Sequence, residues 1–434
     1  MKKVLIIVNQ FPPFGGGGVI RVLKFVKYLP EFDWEPIVLT RDFSKNLFVQ
    51  DEDLLKEISS KTKIFRVPSL EPTGLTKKLK NLNNGNGNSK TVNNSYGFIY
   101  HYLKKIRDFI FRTILIPDQD ILWVKRAIKK AEEIIKEEKI DVIFSSSPPD
   151  STHLVGYFLK KRFPELKWVT DYRDTWYFRD GYKKSGIRKR IYLFLEKKMV
   201  NSSDGTSLVH NTIQNKDIDE IKDNLKSKIV LIPNGFDEED FKNINNGKTN
   251  EIFTLTYAGS ILGYRKNQSL LEALKLFKGH SGNGKINVKL MGIIDEDYKE
   301  EINQLDLNDI VKVHGFLSHK EALEQLSNSH AILFVQTSNK EESIVPSGKI
   351  YEYLRIGKPI FALVQDGVVK NIINQFKAGL AVDPDNPEEI IQGLEELKRN
   401  YTQYDNLQKI DTVFLKQHER KELTRQLAEL FNRF

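Results

Sequence analysis

Short runs of β-branched and other apolar residues alternate with longer stretches of helical period along the chain. This alternation predicts parallel sheets joined by crossover helices. In the first half the strand runs are Val4 to Val8, Pro36 to Leu39, Ile64 to Val67, Val142 to Ser145, Trp168 to Thr170, Thr206 to Val209 and Ile229 to Ile232. Between them, Arg21 to Leu29 places apolar residues at 22, 23, 25, 26 and 29, and Trp123 to Glu138 ends in Lys/Glu-rich turns suited to an exposed face. After Ile232-Pro-Asn-Gly-Phe-Asp237 and a polar stretch, Asn243 to Asn250, the pattern restarts. New strand runs follow at Phe253 to Ala258, Ile286 to Leu290, Val311 to Val313, Ala331 to Val335, Ile360 to Leu363 and Leu380 to Val382. The expectation is an α/β protein of two Rossmann-like domains facing across a cleft, residues 1–240 and 241–414. Leu423, Leu427, Leu430 and Phe431 form a helical stripe near the end of the chain, and residues 415–434 are expected to cross back to the first domain. Lys77 to Gly97 is nearly devoid of apolar residues and rich in Asn and Gly, which predicts a mobile loop.

Composition narrows the function classes. The chain of 434 residues is 40% hydrophobic and 29% charged, the balance of a soluble globular protein. No apolar run reaches the ~20 residues of a membrane span, and the start of the chain does not read as a signal peptide. Without cysteine there is no disulfide framework, thiolate metal site or cysteine nucleophile, which suits a cytoplasmic location. A net charge of +9 favours anionic partners. The basic residues are spread over both halves and no nucleic-acid-binding signature accompanies them, so nucleic acid is not expected as a partner.

Four stretches carry candidate chemistry. Phe11-Pro-Pro-Phe-Gly-Gly-Gly-Gly18 follows the first strand and opens a helix, so bare backbone N–H groups and the helix dipole can face an anion there. It is not the spaced dinucleotide fingerprint. Asp171-Tyr-Arg-Asp-Thr-Trp176 follows another strand at the carboxyl edge, where open α/β sheets bind ligands. Asp174 could take an acceptor hydroxyl proton, with Arg173 beside it and Trp176 as a stacking face. The competing reading is an Asp cap with a core tryptophan. His153, after Ser145-Ser-Ser-Pro-Pro-Asp150, serves equally as an acceptor contact or a structural histidine. In the second half, Tyr257-Ala-Gly-Ser260 ends a strand and Arg265-Lys266 opens the next helix, cations placed to meet a diphosphate. The densest cluster is Val345 to Pro359, in which Ser347 starts a helix, Gly348 permits close approach, Lys349 can meet phosphate and Glu352 lies one turn on, placed for ribose hydroxyls.

The order of these motifs, with Ile232 to Asp237 and Val313-His-Gly-Phe-Leu317 between them, resembles the retaining GT-B glycosyltransferases of family 4, and more closely the branch of bacterial surface-polysaccharide synthesis. The resemblance implies a nucleotide-sugar donor, UDP-linked in the commoner case, held mainly by the C-terminal domain. It implies a glycan or polyprenyl-linked acceptor on the N-terminal domain, and no metal or other cofactor. Carried over by position, Gly16 and Gly17 would approach the donor phosphate, with Gly17 also near the acceptor. Lys266, with Ser260 and Arg265 beside it, would meet the diphosphate and act in catalysis with Asp174. Gly315 and Phe316 would flank the nucleobase, and Glu352 would bind ribose. His153, Arg173, Asp174 and Trp176 would lie on the acceptor side. Two departures stand out: the glutamate usual eight residues before the ribose-binding one is Ile344 here, and the usual Arg after Gly259 is Ser260. Nucleotide-sugar 2-epimerases share the architecture, and a sugar-nucleotide-binding protein with a decayed site is the third reading. His101 to Ile116 mixes apolar and basic residues in a pattern that could lie on the anionic inner face of the plasma membrane or dock on the first sheet.

Overall fold

The structure, a computed structural model, describes residues 1–42, 50–69, 115–174, 186–210, 228–242, 244, 251–263, 266–279, 285–336, 346–404 and 412–434. The expected loop Lys77 to Gly97 and all but the last two residues of His101 to Ile116 fall outside them. Each strand run read from the sequence is a strand, with ends shifted by a few residues. The first sheet contains β1 (Lys2–Val8), β2 (Trp34–Asp42), β3 (Lys63–Pro68), β4 (Val142–Ser147), β5 (Lys167–Tyr172), β6 (Gly205–Leu208) and β7 (Ile229–Leu231). Its order is β3-β2-β1-β4-β5-β6-β7, all parallel. The helices with it are α1 (Gly17–Tyr28), α2 (Ile121–Glu138), α3 (Ser151–Arg162) and α4 (Ile187–Ser202). The second sheet contains β8 (Phe253–Ala258), β9 (Ile286–Met291), β10 (Val311–Gly315), β11 (Ala331–Val335), β12 (Ile360–Leu363) and β13 (Gly379–Val382), in the order β10-β9-β8-β11-β12-β13. With it go α5 (Gln268–Gly279), α6 (Glu296–Gln304), α7 (His319–Ser327), α8 (Lys349–Ile356), α9 (Val368–Phe376), α10 (Pro387–Tyr404) and α11 (Thr412–Gln417). The chain ends in α12 (Arg420–Asn432).

The first strand is apolar without alternation because both faces of its sheet are covered. Leu5 and Ile7 point into the core shared with α2 and α3, while Val4, Ile6 and Val8 point into the core shared with α1 and α12. Helix α12 belongs to that second core. Its Leu423, Leu427, Leu430 and Phe431 are buried, and the Phe431 ring meets Trp34 at 5.2 Å and Phe144 at 5.7 Å between centroids. Burying four such side chains contributes about 1.5–3 kcal/mol each, so α12 is firmly held on the first lobe. Its approach is fixed by the segment between the sheets: Phe236 N–H donates to His418 O at 3.1 Å, and Arg420 N–H to Phe236 O at 2.7 Å. At Gly235 the two chains pass so closely that a Cβ would overlap the His418 carbonyl.

The strand order reverses between β1 and β4 in one sheet and between β8 and β11 in the other. Loops at the carboxyl ends of strands diverge at such points, which opens a crevice. Both crevices open onto the space between the lobes.

Candidate functional site

A cleft of about 380 Å³ lies between the two sheets. From the first lobe it is lined by Gly16, Gly17 and Asp51, and from the second by Ser260, Phe316, His319, Ser347, Gly348, Lys349 and Glu352. Asn234, from the connecting segment, and Arg420, from α12, complete it. Gly16, Gly17, Ser260, Phe316, Ser347, Gly348, Lys349 and Glu352 are thus gathered at one place from motifs far apart in sequence.

Two helix N-termini meet there. Gly16 starts α1 with φ 120, a conformation that favours glycine, and its carbonyl accepts from Val19 and Ile20 N–H at 3.0 and 3.2 Å. A Cβ at Gly16 or Gly17 would meet nothing within 4 Å, so these positions leave open space beside the first N–H groups of α1. Across the cleft, Ser347-Gly348 leads into α8, and Lys349 Nζ donates to the Ala258 carbonyl at 2.6 Å with the Tyr257 ring beneath it. Both helix ends direct partial positive charge into one volume.

The lobes touch at its rim, where the Phe316 ring lies against Gly15 and Asp51 accepts from the His319 backbone N–H at 2.9 Å. His319 occupies the first turn of α7, which a capping box between Ser318 and Glu321 starts. Its ring sits between Glu352 Oε1, 3.1 Å from Nε2, and Asp240 Oδ2, 3.8 Å from Nδ1. Burial would push the imidazole down, but the Glu352 and Asp240 carboxylates override it and raise it to about 9, against a smaller push from Lys24. Glu352 responds in the opposite sense: burial raises it, and His319, Arg420 and Lys349 bring it below the ordinary carboxylate range.

A consequence for stability follows from the His319 shift. The folded value lies above the unfolded value near 6.5, so the contribution is complete below about pH 6.5 and lost as pH rises toward 9. We expect urea unfolding to show the protein losing up to about 3 kcal/mol across that window. His319→Gln should flatten this slope, and an equal slope in the variant would show that other groups carry it.

Other expected site residues lie elsewhere. Lys266 does not line the cleft; its Nζ pairs with Asp295 Oδ2 at 3.1 Å and with Asp297, so two carboxylates already engage the charge expected to meet a diphosphate. His153 is fully buried, its Nδ1 2.8 Å from Ser145 Oγ and its ring 4.4 Å from that of Tyr172, which gives it a packing role in place of the expected acceptor contact. Arg173 Nε donates to Ser147 O at 2.8 Å, and its guanidinium occupies the space a Cβ at Gly18 would need, so it braces the start of α1. Asp174 is exposed just past β5 and does not line the cleft, which leaves its expected catalytic and acceptor roles without support in its placement. Gly315 turns the chain after β10 with φ 70 and places Phe316 in the cleft. Trp176 and Arg265 lie outside the described residues, as does Ile344. The other carboxylate of the Asp171 motif is inside the protein: Asp171 and Arg21 form a fully buried pair, 2.9 Å apart.

Asp51, Asn234, His319 and Arg420 were not singled out from sequence. The Ser318-His-Lys-Glu321 capping pattern just after Val313 to Leu317 was a readable signal for His319, whereas Asp51 and Arg420 reach the cleft only through the tertiary fold. A further carboxylate group, Glu57, Asp237 and Asp240, lies behind α1, where Lys24 Nζ sits 2.6–2.7 Å from all three.

Comparison with known proteins bears on this geometry. Residues 236–411 match the family model of glycosyl transferases group 1. No match was found among curated protein sequences. Sucrose-phosphate synthase from Thermosynechococcus elongatus superposes with a TM-score of 0.63 at 13% identity, over 100% of this chain and 99% of that one. A glycosyltransferase from Rickettsia africae ESF-5 gives 0.63 at 18% identity, over 100% and 98%. S. aureus TarM, in a complex with fondaparinux, α-GlcNAc-glycerol and UDP, gives 0.59 at 12% identity, over 100% of both chains. Residues 236–411 are therefore similar to the group 1 glycosyl transferases, and the chain as a whole has the two-lobed GT-B fold.

Proposed function

We propose that the cleft transfers a sugar from a nucleoside-diphosphate sugar, UDP-linked in the first instance, to a glycan or lipid-linked acceptor in the synthesis of cell-surface polysaccharide. In this reading the second lobe, from about residue 241, holds the donor, the first lobe presents the acceptor, and the configuration at the transferred carbon is retained. The observation that carries it is the convergence of two helix N-termini, at Gly16-Gly17 and at Ser347-Gly348-Lys349, on a cleft that also contains Glu352 and an exposed aromatic, Phe316.

The chemistry follows from charge. Departure of a nucleoside diphosphate builds negative charge on the bridging and terminal phosphate oxygens. N–H groups and an ammonium already fixed around that volume stabilise this charge without reorganising. Glu352 accepts ribose hydroxyls, and Phe316 offers a face to the base. No divalent ion is assigned a part. Among the described residues no helix is long and apolar enough to cross a membrane. In this reading a lipid-linked acceptor is met at the bilayer surface, on the cytoplasmic side.

A panel of nucleotide sugars, with and without a cell-envelope acceptor fraction, tests the proposal in excess EDTA. Donor consumption only in the presence of acceptor, with activity unaffected by the chelator, is the expected result. Conversion of the donor without acceptor would identify an epimerase, and activity restored only by magnesium would remove the metal-free assignment.

A further inference from the structure

Arg420 is the first residue of α12, and it lies at the floor of the cleft with 3% of its surface exposed. Its Nε and Nη1 have no hydrogen-bond partner among the described residues. A buried guanidinium in this condition is costly, because these two nitrogens have given up water without a hydrogen bond in return. The surroundings relieve it only through their fields: Glu352, which already takes the His319 ring at 3.1 Å, favours the charge together with Asp237 and Asp240, while burial and Arg21 oppose it. The side chain cannot simply withdraw, since its backbone is pinned by the bond to Phe236 O and by the apolar anchor of α12 in the first lobe.

We propose that Arg420 binds the diphosphate of the nucleotide donor, a contact that a helix rooted in the first lobe delivers to the second lobe's site. This rests on the function proposed above and specifies which cation meets the anion. The fork of a guanidinium fits two phosphate oxygens at once, which a lysine ammonium cannot reproduce. Of the other cations, Lys266 lies outside the cleft, paired with Asp295 and Asp297, and the Lys349 ammonium, which already gives one hydrogen bond to the Ala258 carbonyl, adds a point charge beside the fork. Burial and Arg21 lower the Arg420 guanidinium only to about 10, so it carries its charge at neutral pH. A diphosphate arriving beside Gly348 would supply the missing acceptors. Because α12 packs on the first lobe while the base and ribose sit on the second, the contact also holds donor and acceptor lobes in register.

The test compares UDP, uridine and inorganic pyrophosphate by calorimetry on the full chain, with Arg420→Met and Arg420→Lys. The expected result for Arg420→Met is a loss of at least 30-fold in UDP affinity and less than 3-fold in uridine affinity. Pyrophosphate should compete with UDP on the unaltered protein and fail to compete on the variant. The ligand-free variant should melt no lower than the parent, since an unpaired buried charge has been replaced by an apolar chain; a structural arginine would lower the melting temperature instead. Arg420→Lys, which keeps the charge but loses the fork, should reduce the UDP-to-uridine affinity ratio at least 3-fold, and it decides the matter if Arg420→Met does not fold. An unchanged ratio in the variants, or equal losses for UDP and uridine, would overturn the assignment. If the unaltered protein binds no nucleoside diphosphate of any base, the proposed function itself falls.

Discussion

Replacing Asp171 with alanine is expected to destabilise the protein by about 3–5 kcal/mol, because it strands a fully buried guanidinium. Arg21 donates from Nη2 to Asp171 Oδ1 at 2.9 Å and from Nε to Oδ2 at 3.3 Å, and both side chains are completely buried. Ser146 donates to Oδ2 at 2.7 Å and Ser207 to Oδ1 at 2.5 Å, so alanine would orphan two hydroxyls as well. Burial works against the charged form of Asp171, but Arg21 and the two serines hold the carboxyl below its usual range. The cluster also reaches the connection between the lobes, for Arg21 donates to the carbonyls of Ile232 and Pro233 at 2.9 and 2.8 Å. Chemical denaturation of Asp171→Ala and of the double variant Arg21→Met, Asp171→Leu separates the causes. The double variant should recover much of the loss, since removing both charges leaves no orphan. A loss below ~1 kcal/mol in the single variant would mean that water or a neighbour takes the place of the carboxylate, contrary to the burial of both groups.

That pair also marks a limit of what the sequence could tell. The thirteen strand runs were legible because a parallel sheet covered on both faces produces unbroken apolar segments, and Val4 to Ile7 or Ala331 to Leu333 have no other use. The Gly-rich loop and Ser347 to Glu352 were legible for a related reason: both lie just after a strand and open a helix, a place where a ligand can be met. The Asp171 motif has the same position and polarity, yet it divides. Asp171 turns inward to Arg21, Arg173 braces Gly18 through the Ser147 carbonyl, and Asp174 is exposed. Which way a side chain points at a strand end depends on what the neighbouring strands offer it, here Ser146 on β4 and Ser207 on β6, and pairing across a sheet is not written in local spacing. The pairing of Lys266 was illegible for a similar reason, because Asp295 and Asp297 are remote in sequence and adjacent only across the β8–β9 edge. Arg420 is the converse case. A terminal helix with an apolar stripe was readable, but its first residue gains meaning only once Leu423 to Phe431 have bound the stripe to the first lobe.

In Glu352→Ala the largest functional loss is expected, roughly 30- to 1,000-fold in kcat/KM for the donor, which corresponds to about 2–4 kcal/mol of transition-state stabilisation. Two effects combine. The carboxylate is the cleft acceptor assigned to the ribose hydroxyls, and hydrogen bonds to a charged acceptor in a half-closed site are the stronger kind. The same carboxylate also holds the His319 ring at 3.1 Å and is the main cause of its raised value. Without it, burial is the dominant influence, and the imidazole moves back toward the neutral form near pH 7. Local charge then changes by less than the substitution alone suggests, because one negative and one positive group disappear together. The two effects separate by donor chemistry: against a 2′,3′-dideoxyribose analogue of the nucleoside diphosphate, the unaltered protein should bind the ribose form at least 10-fold more tightly, while Glu352→Ala should bind both alike. His319→Gln should keep the preference for ribose while weakening both ligands modestly. If Glu352→Ala discriminates as well as the unaltered protein does, the carboxylate does not meet the ribose, and its part in the cleft reduces to holding His319 in place.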